Sequence, residues 1–265
     1  MKKINSPSNP IIKVVKGLYK KKERWKKRLF LIEGVKIVEE CIRWDIEPVY
    51  ILFSNDLFKT TGGEKLFNNI KKYDDKLINL PSRLLKDISD TENPQGILAV
   101  LNFNNIDFKV LLEKKDKFIV ILDELQDPGN MGTIIRTADA FGASGVVLTP
   151  NCVDLYNPKV VRSTMGSLFH IPIAQVEDKI QLIEELKNEH IKIYATSLES
   201  ANYIYDVDFK RDFALVIGNE PKGISQEILD LADNTIKIPI IGNAESLNAA
   251  IASSIIMYEV MRQRS

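Results

Sequence analysis

Six short runs in the second half of the chain are apolar almost throughout: FIVIL (118–122), GVVLT (145–149), IPIAQ (171–175), IKIYAT (191–196), FALVIG (213–218) and IKIPI (236–240). A continuous apolar run of this length is the mark of a strand buried on both faces, not of one with a wet side. Between the runs the apolar residues change to helical spacing, as at Ile134, Ile135, Ala138 and Phe141, or at Ile180, Ile183 and Leu186. Further helices are expected near Lys159–Ser167, after Ser225 and over the last stretch of the chain. Alternation of this kind predicts an α/β fold with a mostly parallel sheet and helices on both of its faces.

The first hundred residues read differently. They suggest a basic helix (Pro10 to Lys27), a strand (Arg28 to Ile32), a helix (Gly34 to Trp44) and a strand (Pro48 to Phe53). A Lys-rich stretch with Gly and Asn (Thr60 to Lys76) follows, then a helix (Pro81 to Ile88) and a strand (Ile97 to Asn102). That is a small α/β unit of its own. The polar segment after it reads as a connector with one helical turn. The expected domains are therefore 1–105, a linker at 106–117, and 118–265.

Composition removes several classes of function. An apolar fraction of 45% and a charged fraction of 27% suit a soluble globular chain. No apolar run approaches the roughly 18–20 residues a membrane helix needs. Lys13 and Lys16 interrupt any secretory signal, so the chain reads as cytoplasmic. Cys41 and Cys152 lie far apart, and with His170 and His190 they form no metal-ligand spacing, so neither a disulfide nor a metal is expected. Net charge is zero, yet residues 1–30 hold eleven lysines and arginines against the single Glu23, with Tyr19 and Trp25 interleaved. A basic block with aromatics suits a polyanion such as RNA, and Lys13, Lys20, Lys21, Arg24 and Lys26 are its candidate contacts.

Open parallel sheets bind ligands beyond the carboxyl ends of their strands. DELQDPGNMGTIIR follows the first run, NEPKGIS the fifth, and IGNAESLN the sixth. Asp127-Pro128-Gly129 forces a turn, Asn130 is placed to cap a helix starting near Met131 or Gly132, and Arg136 lies just over one turn into it. A capped helix with an arginine suits a phosphate or carboxylate. In the second loop Gly218 permits a hard turn or a close approach, Glu220 follows, and Pro221 and Gly223 tighten the rest. This is neither GxGxxG nor GxxxxGK[ST], which argues against nicotinamide and nucleoside triphosphate cofactors. In the third, IPII reads as a buried strand, Ser246 or Asn248 as the cap of the last helix. The small residues Ala249, Ala250, Ala252, Ser253 and Ser254 let another backbone come close.

NMGTIIRTADAFG, VIGNEPKGIS and IPIIGNAESLNAAIASSIIMYEVMRQR resemble, in order and spacing, the three signature motifs of the SpoU (TrmH-like) RNA 2′-O-ribose methyltransferases of the SPOUT class. FLIEGVKIVEECI and QGILAVL resemble an L30e-like RNA-binding domain. The resemblance implies a deep trefoil knot in the C-terminal domain, an exception to the unknotted rule. It implies S-adenosylmethionine as cofactor, with Gly218, Ile238, Leu247 and Thr196 as its contacts, and a homodimer through the C-terminal domain. It assigns the chemistry to Arg136, with Asn130, Glu220, Ser246 and Asn248 around it. No histidine lies in the three motifs, so the usual general base is missing, and a guanidinium keeps its proton. Arg136 is then best placed to hold the RNA and orient the ribose hydroxyl. Gly129 departs from the residue several relatives carry before Asn130, which leaves base preference open. The expected function is ribose 2′-O-methylation of 23S ribosomal RNA. The alternatives are a transfer RNA ribose methyltransferase and a non-catalytic RNA-binding protein of the same fold.

Overall fold

The computed structural model describes residues 1–265, which divide into two compact units. One comprises Met1–Asn104 with Tyr156–Phe169, the other Asn105–Leu155 with His170–Ser265.

The first unit is built on five strands, β1 (Lys2–Lys3), β2 (Leu29–Glu33), β3 (Pro48–Phe53), β4 (Leu77–Asn79) and β5 (Ile97–Asn102), in the order β1-β4-β3-β5-β2. The sheet is mixed, because β5 runs antiparallel to both β2 and β3. The single basic helix expected over Pro10–Lys27 is two, Pro10–Gly17 and Lys21–Lys27, with Lys20 in an extended conformation between them. The break turns Tyr19 inward, where its hydroxyl donates to the Ile88 carbonyl at 2.7 Å. It also resets the phase of the second helix. Arg24 is consequently buried and donates to the Leu18 carbonyl at 2.7 Å, so it braces the fold and is not the exposed RNA contact expected from sequence. Lys13, Lys20, Lys21 and Lys26 are all exposed.

The Lys-rich stretch after β3 hides a helix, Gly63–Ile70, which buries Leu66 and Ile70. Tyr156–Phe169, read from sequence as part of the second domain, packs with the first unit. The Tyr156 ring stacks on Phe103 with centroids 3.9 Å apart and lies 4.8 Å from Phe30, while Arg162 pairs with Asp90 at 3.0 Å. Such a long-range aromatic contact leaves no periodic trace in a sequence.

The second unit is a six-stranded sheet of β6 (Phe118–Leu122), β7 (Gly145–Leu148), β8 (Ile173–Gln175), β9 (Lys192–Thr196), β10 (Phe213–Ile217) and β11 (Asn234–Ile236). The order is β11-β9-β10-β6-β7-β8 and every pairing is parallel. All residues of β6, β7 and β10 are buried, as unbroken apolar runs require. At roughly 1.5–3 kcal/mol for each fully buried aliphatic or aromatic side chain, these central strands hold the unit together. The last strand departs from expectation. It covers Asn234–Ile236, and IPII lies beyond it in loop conformation. Pro239 has no N–H to give to a ladder.

The chain leaves β6 toward β7 and β8 but leaves β10 toward β11 on the opposite side. The crevice between two strands whose connections diverge is the topological switch point, and ligands bind there in open α/β sheets. Here it lies at the carboxyl ends of β6 and β10.

Candidate active site

The loop after β6 ends in the helix Pro128–Ala140. Its N-cap is Asp127, whose carboxylate accepts from the Asn130 N–H at 2.7 Å, and not Asn130 as expected. The Asp-Pro pair explains this, since proline suits the first helical position and the residue before it supplies the cap. Asn130 thereby has its side chain free for other work. Its Nδ2 donates to Glu220 Oε1 at 3.0 Å, and its Oδ1 accepts from Asn248 Nδ2 at 3.0 Å. Asn248 in turn caps the final helix, Ala249–Arg264, by accepting from the N–H groups of Ala250 and Ile251. One chain of hydrogen bonds thus joins all three signature loops.

Glu220 also accepts from the backbone N–H groups of Gln126 (3.3 Å) and Asp127 (3.2 Å). Burial alone would raise its pKa. The bonds from Asn130 and from the backbone N–H groups of Glu220 itself, Asp127 and Gln126 outweigh it and hold the carboxyl below the ordinary value. A carboxylate so saturated with donors is a poor proton acceptor; it fastens the second loop to the first.

The loop carrying Glu220 is itself rigidly made. Asn219 and Gly223 exchange backbone hydrogen bonds at 2.9 Å, with Gly223 in the left-handed region at φ 72°. Asn219 Nδ2 donates to the Glu124 carbonyl at 2.8 Å. A Cβ on Gly218 would lie 2.3 Å from the Gly223 carbonyl carbon, so only glycine lets the two backbone segments pass. Beneath the loops, buried Asp123 accepts from Thr149 Oγ1 (3.0 Å) and the Ser225 N–H (2.8 Å). Lys179 bridges Glu124 and Glu227 at 3.1 and 3.0 Å.

A cavity of about 680 Å³ opens at these strand ends. That is within the roughly 300–1,000 Å³ of small-molecule sites. Thr196, Gly218, Ile238 and Leu247, the four residues singled out for the cofactor, all line it, as do Glu220, Ser246 and Asn248. Leu198, Leu229, Ile236 and Ile240 add apolar surface. A cavity with both apolar and polar lining suits the flat face and polar edge of an adenine. Thr196 Oγ1 is engaged with the Val216 carbonyl at 3.1 Å, which ties β9 to β10.

Arg136 does not join the cluster. It is six residues beyond Asn130 on the same helix, hence about 120° round the axis and some 9 Å along it. It is exposed and makes no hydrogen bond or ion pair with this chain. Sequence reasoning also passed over Asp127, Gln126, Asp123 and Lys179. The Asp127-Pro128 pair was a readable signal, whereas Lys179 meets Glu124 only through the fold.

Comparison with known proteins agrees with this geometry. Residues 117–258 match the SpoU rRNA Methylase family, over more than half of the chain. The chain belongs to the SpoU rRNA methylase family. Residues 9–99 match the MRM3-like substrate binding domain. Among its relatives, a 23S rRNA (guanosine(2553)-2′-O)-methyltransferase of Bacillus subtilis is 36% identical over 260 residues, covering 98% of this chain and 99% of its own. A 23S rRNA (uridine(2479)-2′-O)-methyltransferase of Streptomyces viridochromogenes is 31% identical over 242 residues, covering 89% and 83%. The solved SpoU methyltransferase AviRb of that organism, in complex with AdoMet, superposes with a TM-score of 0.86 at 29% identity, covering 97% of this chain and 99% of its own.

Proposed function

We propose that the protein is an S-adenosylmethionine-dependent ribose 2′-O-methyltransferase acting on 23S ribosomal RNA in the cytoplasm. The observation that carries the reading is the hydrogen-bonded chain Glu220–Asn130–Asn248 at the edge of a cavity fit for a nucleoside. Its support from relatives is the whole-length similarity to rRNA 2′-O-methyltransferases.

The cofactor supplies a methyl group on a positive sulfur. Attack of the ribose 2′-oxygen on that methyl would break the S–CH₃ bond with its electron pair left on sulfur, and the hydroxyl proton would leave to solvent by way of an RNA phosphate oxygen. Gly218, Ile238, Leu247 and Thr196, which line the cavity, would hold the cofactor, mostly by backbone. Asn130 and Asn248 fix the wall against which the ribose sits, Ser246 offers a hydroxyl beside it, and Glu220 keeps both loops in register. Arg136 binds an RNA phosphate and orients the 2′-hydroxyl. Orientation of two bound reactants supplies most of the rate, because no histidine is present in the motifs to act as base.

The exposed position of Arg136 fits a homodimer in which the arginine of each chain serves a surface beyond its own Asn130. Ile251, Ile255 and Tyr258 form an exposed apolar stripe along the final helix and are the proposed seam. Lys13, Lys20, Lys21 and Lys26 hold the RNA backbone from the first unit. The trefoil knot belongs to the same reading. Residues between β11 and Asn248 cross the ends of β9 and β10 before meeting Asn130.

The test is transfer of labelled methyl from S-adenosylmethionine to ribosomal RNA, read as one new position resistant to alkaline cleavage. Transfer to transfer RNA alone would move the substrate. Absence of both transfer and cofactor binding would sink the reading.

A further inference from the structure

Three carboxylates stand in the cavity wall, Glu199, Glu220 and Glu245, and they are not equivalent. Glu220 is saturated by Asn130, Asp127 and Gln126. Glu199 and Glu245 make no side-chain hydrogen bond or ion pair within the chain. Of the two lysines in the same wall, Lys237 holds its ammonium 5.1 Å over the Tyr203 ring, and neither it nor Lys222 pairs with a carboxylate of the chain. The charge of the two free carboxylates is therefore left for what enters the cavity. Glu245 lies in the exposed loop that closes on Asn248, the partner of Asn130, whereas Glu199 follows β9, one strand farther from that contact.

We infer that Glu245 is the residue by which this protein tells the charged cofactor from the uncharged product. The inference rests on the methyltransferase reading above. Its carboxylate attracts the sulfonium of S-adenosylmethionine. After transfer the sulfur is a neutral thioether, and Glu245 has nothing there to attract. The interaction is strongest in the bound reactant, weaker in the transition state and absent in the product. By that order Glu245 contributes to cofactor capture and product exchange, and does not lower the barrier of the chemical step.

The experiment is calorimetric titration of the full chain and its Glu245→Gln variant with three ligands. These are S-adenosylmethionine, S-adenosylhomocysteine, and an analogue carrying an ammonium in place of the sulfonium. The variant should bind both cations about fivefold more weakly, as a partly exposed charge pair allows, and the neutral ligand within about twofold of the parent. The loss should shrink as salt is added, and Glu245→Asp should recover part of it. Equal weakening of all three ligands would show that Glu245 shapes the loop or pairs with the α-ammonium they share, and no weakening of any would remove its role; either result overturns the inference. Retained binding of the neutral ligand by the variant confirms an intact cavity. If the parent chain binds none of the three, the methyltransferase reading itself fails, and this inference with it.

Discussion

Asn248 divides its amide between two tasks: its oxygen caps the final helix at Ala250 and Ile251, while its nitrogen donates to Asn130 at 3.0 Å. The start of the last helix is therefore locked to the first signature loop, and the two uses can be separated by mutation.

Asn248→Asp keeps the capping oxygen and loses the donor to Asn130, whereas Asn248→Ala loses both. The alanine variant should lose about 0.5–2 kcal/mol of stability, the usual worth of an N-cap. The aspartate variant should melt near the parent temperature yet methylate poorly. Thermal denaturation set beside a methyl-transfer assay checks both, and an aspartate variant with full activity would show that the Asn130 contact is idle.

Gly218→Ala introduces a Cβ that would sit 2.3–2.5 Å from the backbone of Gly223 and Ile224. Neither segment is a flexible side-chain end, so the loop must move. Overpacking of this kind costs roughly 1–3 kcal/mol. Cofactor affinity should fall at least tenfold by calorimetry while the sheet beneath, seen in far-ultraviolet circular dichroism, remains.

Arg136→Ala removes an exposed side chain with no partner in its own chain. Stability should change by less than about 0.5 kcal/mol. Cofactor binding should be unchanged and methylation of RNA abolished. A variant that still methylates would free Arg136 from any part in the reaction.

Glu220 carries a pH signature. Its folded pKa lies below the ordinary value of 4.5, so its bonds contribute their full stability above that value and lose it as pH falls through the lower folded one. Glu220→Gln cannot titrate. The stability difference between the parent and Glu220→Gln should hold steady from neutral pH down to about 4.5 and narrow below it. Melting temperatures across that range check the sign, and a gap that widens in acid would contradict it.

Much of the second unit was legible because burial on both faces writes unbroken runs such as FIVIL and FALVI. The four residues proposed for the cofactor were named through the motif resemblance, and the fold brings all of them to one cavity wall. What stayed hidden is what depends on distance in sequence. Lys179 joins Glu124 across the fold, Arg24 turns inward only because the basic helix breaks, and IPII looks like a strand until Pro239 denies it a ladder. Asn130 looked like the cap of its helix, but Asp127 does the capping and leaves the Asn130 amide for Glu220.

The excursion of Tyr156–Phe169 into the first unit bears on how such a gene can be recombined. A single splice between residues 104 and 117, inside the gap between the two family matches, would deliver a substrate-recognition cassette with Phe30 and Phe103 stripped of the Tyr156 ring that covers them. The rest of the gene would inherit that ring with nothing to lay it on. Exchange of one recognition module for another leaves that ring unmatched unless the Tyr156–Phe169 segment is exchanged or redesigned with it.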